Sequence, residues 1–239
     1  MRKKKECMPD YWKNYWNSVP LDICEQSQVG RTVKKVPISD VFFEKTFDWV
    51  VQKMQINKQS NMLELCCGNG VWTIPFAKQA KHITAIDFSR PLLDVLKRKC
   101  SSENVRNVDI KLQNILEIKS QDYKFISHIF LYFAIQHFSE KETVFLFETA
   151  YSILRNRGGV FYIGDIPDRE KLWDFANTKE YVKMYFDSIK NETPAVGTFF
   201  IKDDLMKLAE YIGFSKWELI EQPDWQINSS YRFDMKLEV

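Results

Sequence analysis

The sequence predicts an α/β fold, a single domain on a mostly parallel, doubly wound sheet with helices on both faces. Three observations predict it. Short apolar runs of strand length alternate with stretches of helical spacing through the middle of the chain, the signature of stacked strand-helix-strand units. A Gly68-Asn69-Gly70 turn separates the first run from its helix, and a carboxylate, Asp87, follows the second.

Each element has a local reason. From Ile38 to Met54, apolar residues at Val41, Phe42, Phe43, Phe47, Val50, Val51 and Met54 keep near-helical spacing, with Ser39 or Asp40 as N-cap. Met62 to Cys66 is a strand interrupted only by Glu64, and Val71 to Gln79 returns as a helix with Pro75 near its start. His82 to Ile86 is the next strand. A helix from Ser89 to Lys99 follows, capped by Ser89 and carrying Pro91 in its first turn. Val108 to Leu112, Phe125 to Leu131 and Gly159 to Ile163 are read as further strands, with a helix over Lys141 to Leu154. Beyond Pro167 the pattern becomes one long aromatic helical stretch, Lys171 to Ile189, then a helix from Asp203 to Ile212 stopped by Gly213. Lys216 to Glu221 and Tyr231 to Glu238 close the chain as an antiparallel pair.

Composition bounds the function. The 239 residues suffice for one full core and not for a second large domain, and 45% hydrophobic against 28% charged residues predicts a folded, soluble protein. Lys and Arg number 34 against 32 acidic residues, so the net +2 does not call for nucleic acid. The one dense basic run, Arg2-Lys3-Lys4-Lys5, is read as a solvated terminus. No stretch has the length of a membrane span or a secretion signal, which predicts a cytoplasmic protein without a membrane partner. Five cysteines (Cys7, Cys24, Cys66, Cys67, Cys100) show neither disulfide nor zinc spacing and are expected as reduced thiols, with no metal site.

The chemistry concentrates in Glu64-Leu65-Cys66-Cys67-Gly68-Asn69-Gly70 followed by Asp87. Glycines let a backbone approach a ligand, the following helix aims its first amides into the crevice, and a carboxylate past the second strand can accept from both hydroxyls of a ribose. That set suits an adenosine-containing ligand. Leu131 to Phe138 lies past the fourth strand, at the carboxyl edge where open α/β sheets bind ligands. It holds His137, which is open to two readings, a general base or a packing histidine. Asp165, just past the fifth strand in Gly164-Asp165-Ile166-Pro167, would either orient a substrate or shape the turn.

Leu63 to Gly70 resembles the Cys-containing form of the first motif of the class I S-adenosylmethionine (SAM) dependent methyltransferases, and the likeness runs from about Asp40 to the C-terminus. It implies a Rossmann-like, seven-stranded, mostly parallel sheet with a reversed last strand. It also implies SAM as cofactor. By that resemblance Glu64 orients the loop or meets the methionine amine, and Gly68 and Gly70 line the methionine and ribose. Asp87 takes the ribose hydroxyls, Phe88 packs on the adenine, and Asn114 with Ile115 meets the adenine edge. Cys66 stands where many members have glycine. Arg31 in Gly30-Arg31-Thr32 is open to two readings, a contact to the cofactor carboxylate or a solvated loop arginine, and Tyr15 and Leu131 are expected as further cofactor contacts. Residues 1–37 would form a lid, aromatic over Tyr11 to Trp16, on a methyltransferase domain over 38–239 that carries an aromatic insertion over 168–198.

The resulting expectation is methyl transfer from SAM to a small-molecule acceptor, at a hydroxyl in preference to a nitrogen, with a sugar or sugar-nucleotide foremost. Two alternatives stay open: an NAD(P)-linked oxidoreductase, although Thr73 stands where the dinucleotide fingerprint needs its third glycine, and a catalytically silent SAM-binding protein. The acceptor and the oligomeric state are not legible.

Overall fold

The computed structural model describes residues 8–33 and 36–239. The basic run at Arg2–Lys5, and Cys7, lie outside them. In chain order the elements are α1 (Met8–Asn17), α2 (Glu25–Gln28), β1 (Thr32–Val33), β2 (Val36–Pro37), α3 (Asp40–Met54), β3 (Asn61–Leu65), α4 (Thr73–Ala77), β4 (His82–Asp87), α5 (Arg90–Ser102) and β5 (Val108–Leu112). Then come β6 (His128–Tyr132), α6 (Glu140–Leu154), β7 (Val160–Pro167), α7 (Leu172–Phe175), α8 (Lys179–Lys190), α9 (Lys202–Ile212), β8 (Lys216–Glu221) and β9 (Arg232–Glu238).

The main sheet has seven strands in the order β5-β4-β3-β6-β7-β9-β8. β3 to β7 are parallel, and β9 runs antiparallel to both neighbours, so the reversed last strand is as expected. Alternation along each strand splits the core in two. Leu63, Leu65, Leu131, Phe161 and Phe233 pack beneath α6 and α9, while Met62, Phe130, Tyr162, Phe47 and Phe76 pack with α3, α4 and α5 on the other face. The chain reverses direction across the sheet between β3 and β6, and the crevice past their carboxyl ends is the place such sheets offer a ligand.

Caps explain several boundaries. Ser39 accepts the Phe42 N–H to start α3. α6 opens on a capping box that the sequence reading passed over, Ser139 and Glu142 each satisfying the other's backbone. Gly213, left-handed, ends α9 as expected. Ser89 precedes α5, but its hydroxyl donates to the Trp16 carbonyl (3.1 Å) instead of capping the helix.

Two expectations need correction, and one element was not foreseen. The single helix expected over Lys171–Ile189 is broken at Ala176–Thr178, where Thr178 caps a separate α8. Thr32–Val33 and Val36–Pro37 form a small hairpin too short to show periodicity. β7 continues to Pro167 by pairing with β9 across an irregularity between Ile163 and Ile166, so Asp165 lies inside the strand and not past it. With φ of 63° at Asp165, that irregularity turns the chain locally, as a bulge does beside a functional crevice.

Candidate active site

The loop after β3 is built from left-handed residues: Cys66 (φ 56°), Gly68 (54°) and Gly70 (77°). Asp87 at the end of β4 locks it. One carboxylate oxygen accepts the Gly68 N–H at 2.8 Å and the other the Ser89 N–H at 2.7 Å. Burial pushes the Asp87 carboxyl up to about 6, and these backbone donors pull against that rise. Glu64 is buried beneath the loop with Oε2 lacking a partner. Burial raises it to about 8, Asp87 adding to the rise and Thr73 and Lys99 opposing it. Burial likewise pushes the Cys66 and Cys67 thiols well above their ordinary range, so neither is a nucleophile. The described cysteines, Cys24, Cys66, Cys67 and Cys100, are all free.

The N-terminal segment is fastened to this loop. The Asn69 amide donates to the Glu25 carbonyl (2.9 Å) and to Gln28 Oε1 (3.0 Å), and Lys99 pairs with Glu25 at 2.7 Å. Trp12 and Trp16 of α1 reach His137 with ring centroids 4.0 and 5.6 Å away.

Two adjoining cavities result. One, about 80 Å³, runs from Gly68 and Asp87 to Tyr132 and Phe133 beneath Trp12 and Trp16. The other, about 640 Å³, continues past Phe88 to Asn114, Ile115 and Leu116. Cys66, Phe88, His137 and Phe138 wall both. A third, of about 30 Å³, meets the first at Arg31, Tyr132 and Phe133 and has Asp165, Gln222, Gln226 and Asn228 on its far wall.

Of the residues singled out from sequence, Arg31, Cys66, Gly68, Asp87, Phe88, Asn114, Ile115 and His137 line the first two cavities. Four call for correction or qualification. Tyr15 is half exposed and touches Trp12 and Trp16 instead, because helical spacing turns Trp12 and Trp16 to the crevice. The Leu131 side chain lies fully in the core. Asn114 spends its carbonyl oxygen capping the turn at Leu116 (3.1 Å). Gly70 is needed for packing, since a Cβ there would lie 2.3 Å from Leu96 Cδ1. Gly70→Ala is therefore expected to destabilise the fold by about 2–4 kcal/mol, clash and left-handed strain together, read as a lower midpoint in chemical unfolding.

His137 departs most from expectation. Both ring nitrogens are buried without partners. Burial, with the Arg232 guanidinium adding, lowers its pKa to about 3 in place of a value near neutrality. His128 bonds Ser127 and the Met54 carbonyl, and His82 sits at 3.2 Å from Asp109, which makes both structural.

The sequence reading missed a buried polar cluster. Asp165 accepts from Gln222 (3.2 Å) and Asn228 (3.3 Å), and Asp234 accepts from Gln222 (2.8 Å), from the Asp165 N–H (2.8 Å) and from the Tyr162 hydroxyl. Burial raises Asp234 to about 6. Arg232 donates to the Asp165 carbonyl and lies 3.9 Å from its carboxylate. The signal was present in Arg232, Asp234 and Lys236 alternating with Phe233, Met235 and Leu237, but the polar face is buried too. Arg31 lines the same small cavity as Asp165. Its guanidinium lies over Phe43, Trp72 and Tyr132 at 5.2–5.7 Å, with Nε unpartnered.

These features fit an adenosyl amino acid. A carboxylate fixed at the end of the second parallel strand, a glycine whose Cβ would meet Val29 at 2.9 Å, an aromatic at Phe88, and the atoms Glu64 Oε2 and Arg31 Nε without protein partners could serve the parts of such a ligand. Among the described residues, no group of three His, Cys, Asp or Glu side chains is placed to hold a metal.

Comparison with known proteins agrees. Residues 62–158 match a family model described as "Methyltransferase domain". Demethylmenaquinone methyltransferase from Listeria monocytogenes is 26% identical over 152 residues, 62% of this chain and 60% of the relative, so the match spans less than two thirds of that protein. The Staphylococcus aureus protein of the same name is 33% identical over 91 residues, 36% of this chain and 37% of that one. In structure the chain is similar to magnesium protoporphyrin IX methyltransferase from Synechocystis with bound S-adenosylhomocysteine (TM-score 0.64, 14% identity, 97% and 98% covered). It is also similar to phosphoethanolamine N-methyltransferase 1 from Haemonchus contortus (TM-score 0.69, 13% identity, 99% of this chain and 50% of that one). In its matched domain, its strand order and its reversed strand, the chain is similar to the class I S-adenosylmethionine-dependent methyltransferases.

Proposed function

We propose that this protein methylates an oxygen of a small-molecule acceptor, a sugar hydroxyl being one such group, with SAM as donor. One observation carries the reading: Asp87 and the Cys66–Gly70 loop are locked together at the crevice between β3 and β6, with the Phe88–Ile115 cavity opening beside them. Asp87 would hold the ribose hydroxyls. Phe88 and Ile115 would sandwich the adenine, and the Asn114 amide would meet its edge. Gly68, Glu64 and Arg31 would hold the methionine end, Arg31 by a charge-assisted bond to its carboxylate. When bound, SAM supplies an electrophilic methyl on a sulfonium. Residues 1–37 would act as the lid over the 38–239 methyltransferase domain.

The protein's own task is then proximity and alignment. Phe133 and Tyr132 stand between the cofactor cavity and the Asp165 pocket, and Asp165, held by Gln222 and Asn228, would accept the proton of an acceptor hydroxyl. His137, lowered to about 3 and covered by Trp12, is a poor base. His137→Ala should accordingly lower kcat less than about tenfold, where loss of a general base costs about 100-fold or more; a drop of that size in a steady-state assay restores His137 as the base. Among the described residues no helix is long and apolar enough to cross a membrane, and the free thiols suit the cytoplasm.

Isothermal titration with S-adenosylhomocysteine tests the reading. Micromolar-range binding is expected, and no heat with the wild type overturns it. Labelled methyl transfer then separates an enzyme from a silent binder.

A further inference from the structure

The third cavity differs from its neighbours in what lines it. Trp12, Trp16, Val71, Trp72 and Leu92 surround the first, whereas Asp165, Gln222, Gln226 and Asn228 make the far wall of this one. Three polar atoms of its lining residues have no partner in the protein: Gln222 Oε1, Gln226 Nε2 and Arg31 Nε. Gln222 and Gln226 are themselves 6% and 5% exposed. The orientation of Gln222 is fixed, because its amide nitrogen donates to both Asp165 and Asp234, leaving Oε1 as an acceptor. A buried polar group without a partner costs stability, and a native site that retains several in one small space calls for an explanation such as an absent ligand.

Size narrows the ligand. About 30 Å³ holds roughly two water molecules, which suits a hydroxyl- or amine-sized group of the acceptor. The pocket also meets the cofactor cavity only at Arg31, Tyr132 and Phe133.

We infer that the pocket framed by Asp165, Gln222, Gln226 and Asn228 is the specificity subsite for the methyl acceptor, and that it selects a small, polar acceptor whose O–H or N–H is received by Gln222 Oε1 and whose own acceptor atom is met by Gln226 Nε2. The inference rests on the methyltransferase reading and narrows it. An apolar ring face turned to the pocket would leave these polar atoms unpartnered, so the subsite favours a polar substituent of the acceptor.

The test uses the full chain and SAM carrying a labelled methyl, offered in parallel an aqueous metabolite extract and 1,4-dihydroxynaphthalene, a reduced naphthoquinone without a ring methyl. Gln226→Leu is compared with wild type; because the amide lost has no protein partner, its unfolding midpoint should not fall. Label is expected in the aqueous extract and not in the naphthalenediol. The variant should need at least about tenfold more extract for half-maximal rate, the cost of one lost hydrogen bond of about 1.4 kcal/mol, with maximal rate and S-adenosylhomocysteine affinity little changed. Gln226→Asn should recover part of the loss. Transfer to the naphthalenediol, an unchanged half-saturation in Gln226→Leu, or cofactor binding without transfer to either acceptor overturns the inference while sparing the cofactor site. Failure to bind S-adenosylhomocysteine overturns both.

Discussion

Asp87→Ala is expected to bind S-adenosylhomocysteine at least about 100-fold more weakly than wild type. The side chain serves two purposes. Inside the protein it receives the Gly68 and Ser89 N–H groups, fixing the loop after β3 against the start of α5. Its remaining lone pairs are those proposed to receive the ribose hydroxyls. A hydrogen bond to a charged group is worth about 1.5–3 kcal/mol, so losing a pair of them reaches the 100-fold range before any loosening of the loop is counted. Asp87→Asn, which keeps one acceptor oxygen, should fall between the two. Titration calorimetry on the three proteins decides it, and equal affinities would move the ribose site elsewhere in the crevice.

The second large effect concerns stability. The Glu64 carboxyl rises from 4.5 to about 8 on folding because burial disfavours its charged form. The folded chain thus holds this proton more tightly than the unfolded chain. The associated stability is fully present below about pH 4.5 and is lost as pH rises through 8. Glu64→Gln removes that dependence. Its stability relative to wild type should grow as pH rises from 5 to 9, by on the order of 3–5 kcal/mol. Asp87 and Asp234, each raised to about 6, act with the same sign at lower pH but are common to both chains and cancel. Urea unfolding of both proteins at pH 5, 7 and 9 measures the difference, and a constant gap would show that Glu64 is already ionised in the fold.

The parallel half of the fold was readable because each unit carries its own local evidence. An apolar run of strand length, a glycine turn, and a helix with Ser39 or Pro91 at its start need no knowledge of the rest of the chain. The same holds for Asp87 and the Cys66–Gly70 loop, whose residue types state their chemistry. What was not readable depends on partners distant in sequence. Asp165 looked like a residue past its strand because only pairing with β9, some seventy residues on, carries β7 to Pro167. His137 stayed open between base and packing histidine because its type titrates near neutrality and only the fold brings Trp12, from the opposite end of the chain, over it. Gln222, Gln226 and Asn228 carry no local signal and acquire a place only when the fold sets them around the same pocket as Asp165. Spacing along a helix also misassigned Tyr15, since four aromatic residues in six leave the inward face open until α1 is docked.

The Asp165 pocket takes its distinctive wall from the connection between β8 and β9 and its other side from Gly30 to Ile38. Both lie outside residues 62–158, the stretch that matches the common domain. The stretch likened to other methyltransferases and the distinctive wall of this pocket are therefore separate lengths of chain, so resemblance over residues 62–158 does not describe what the pocket receives.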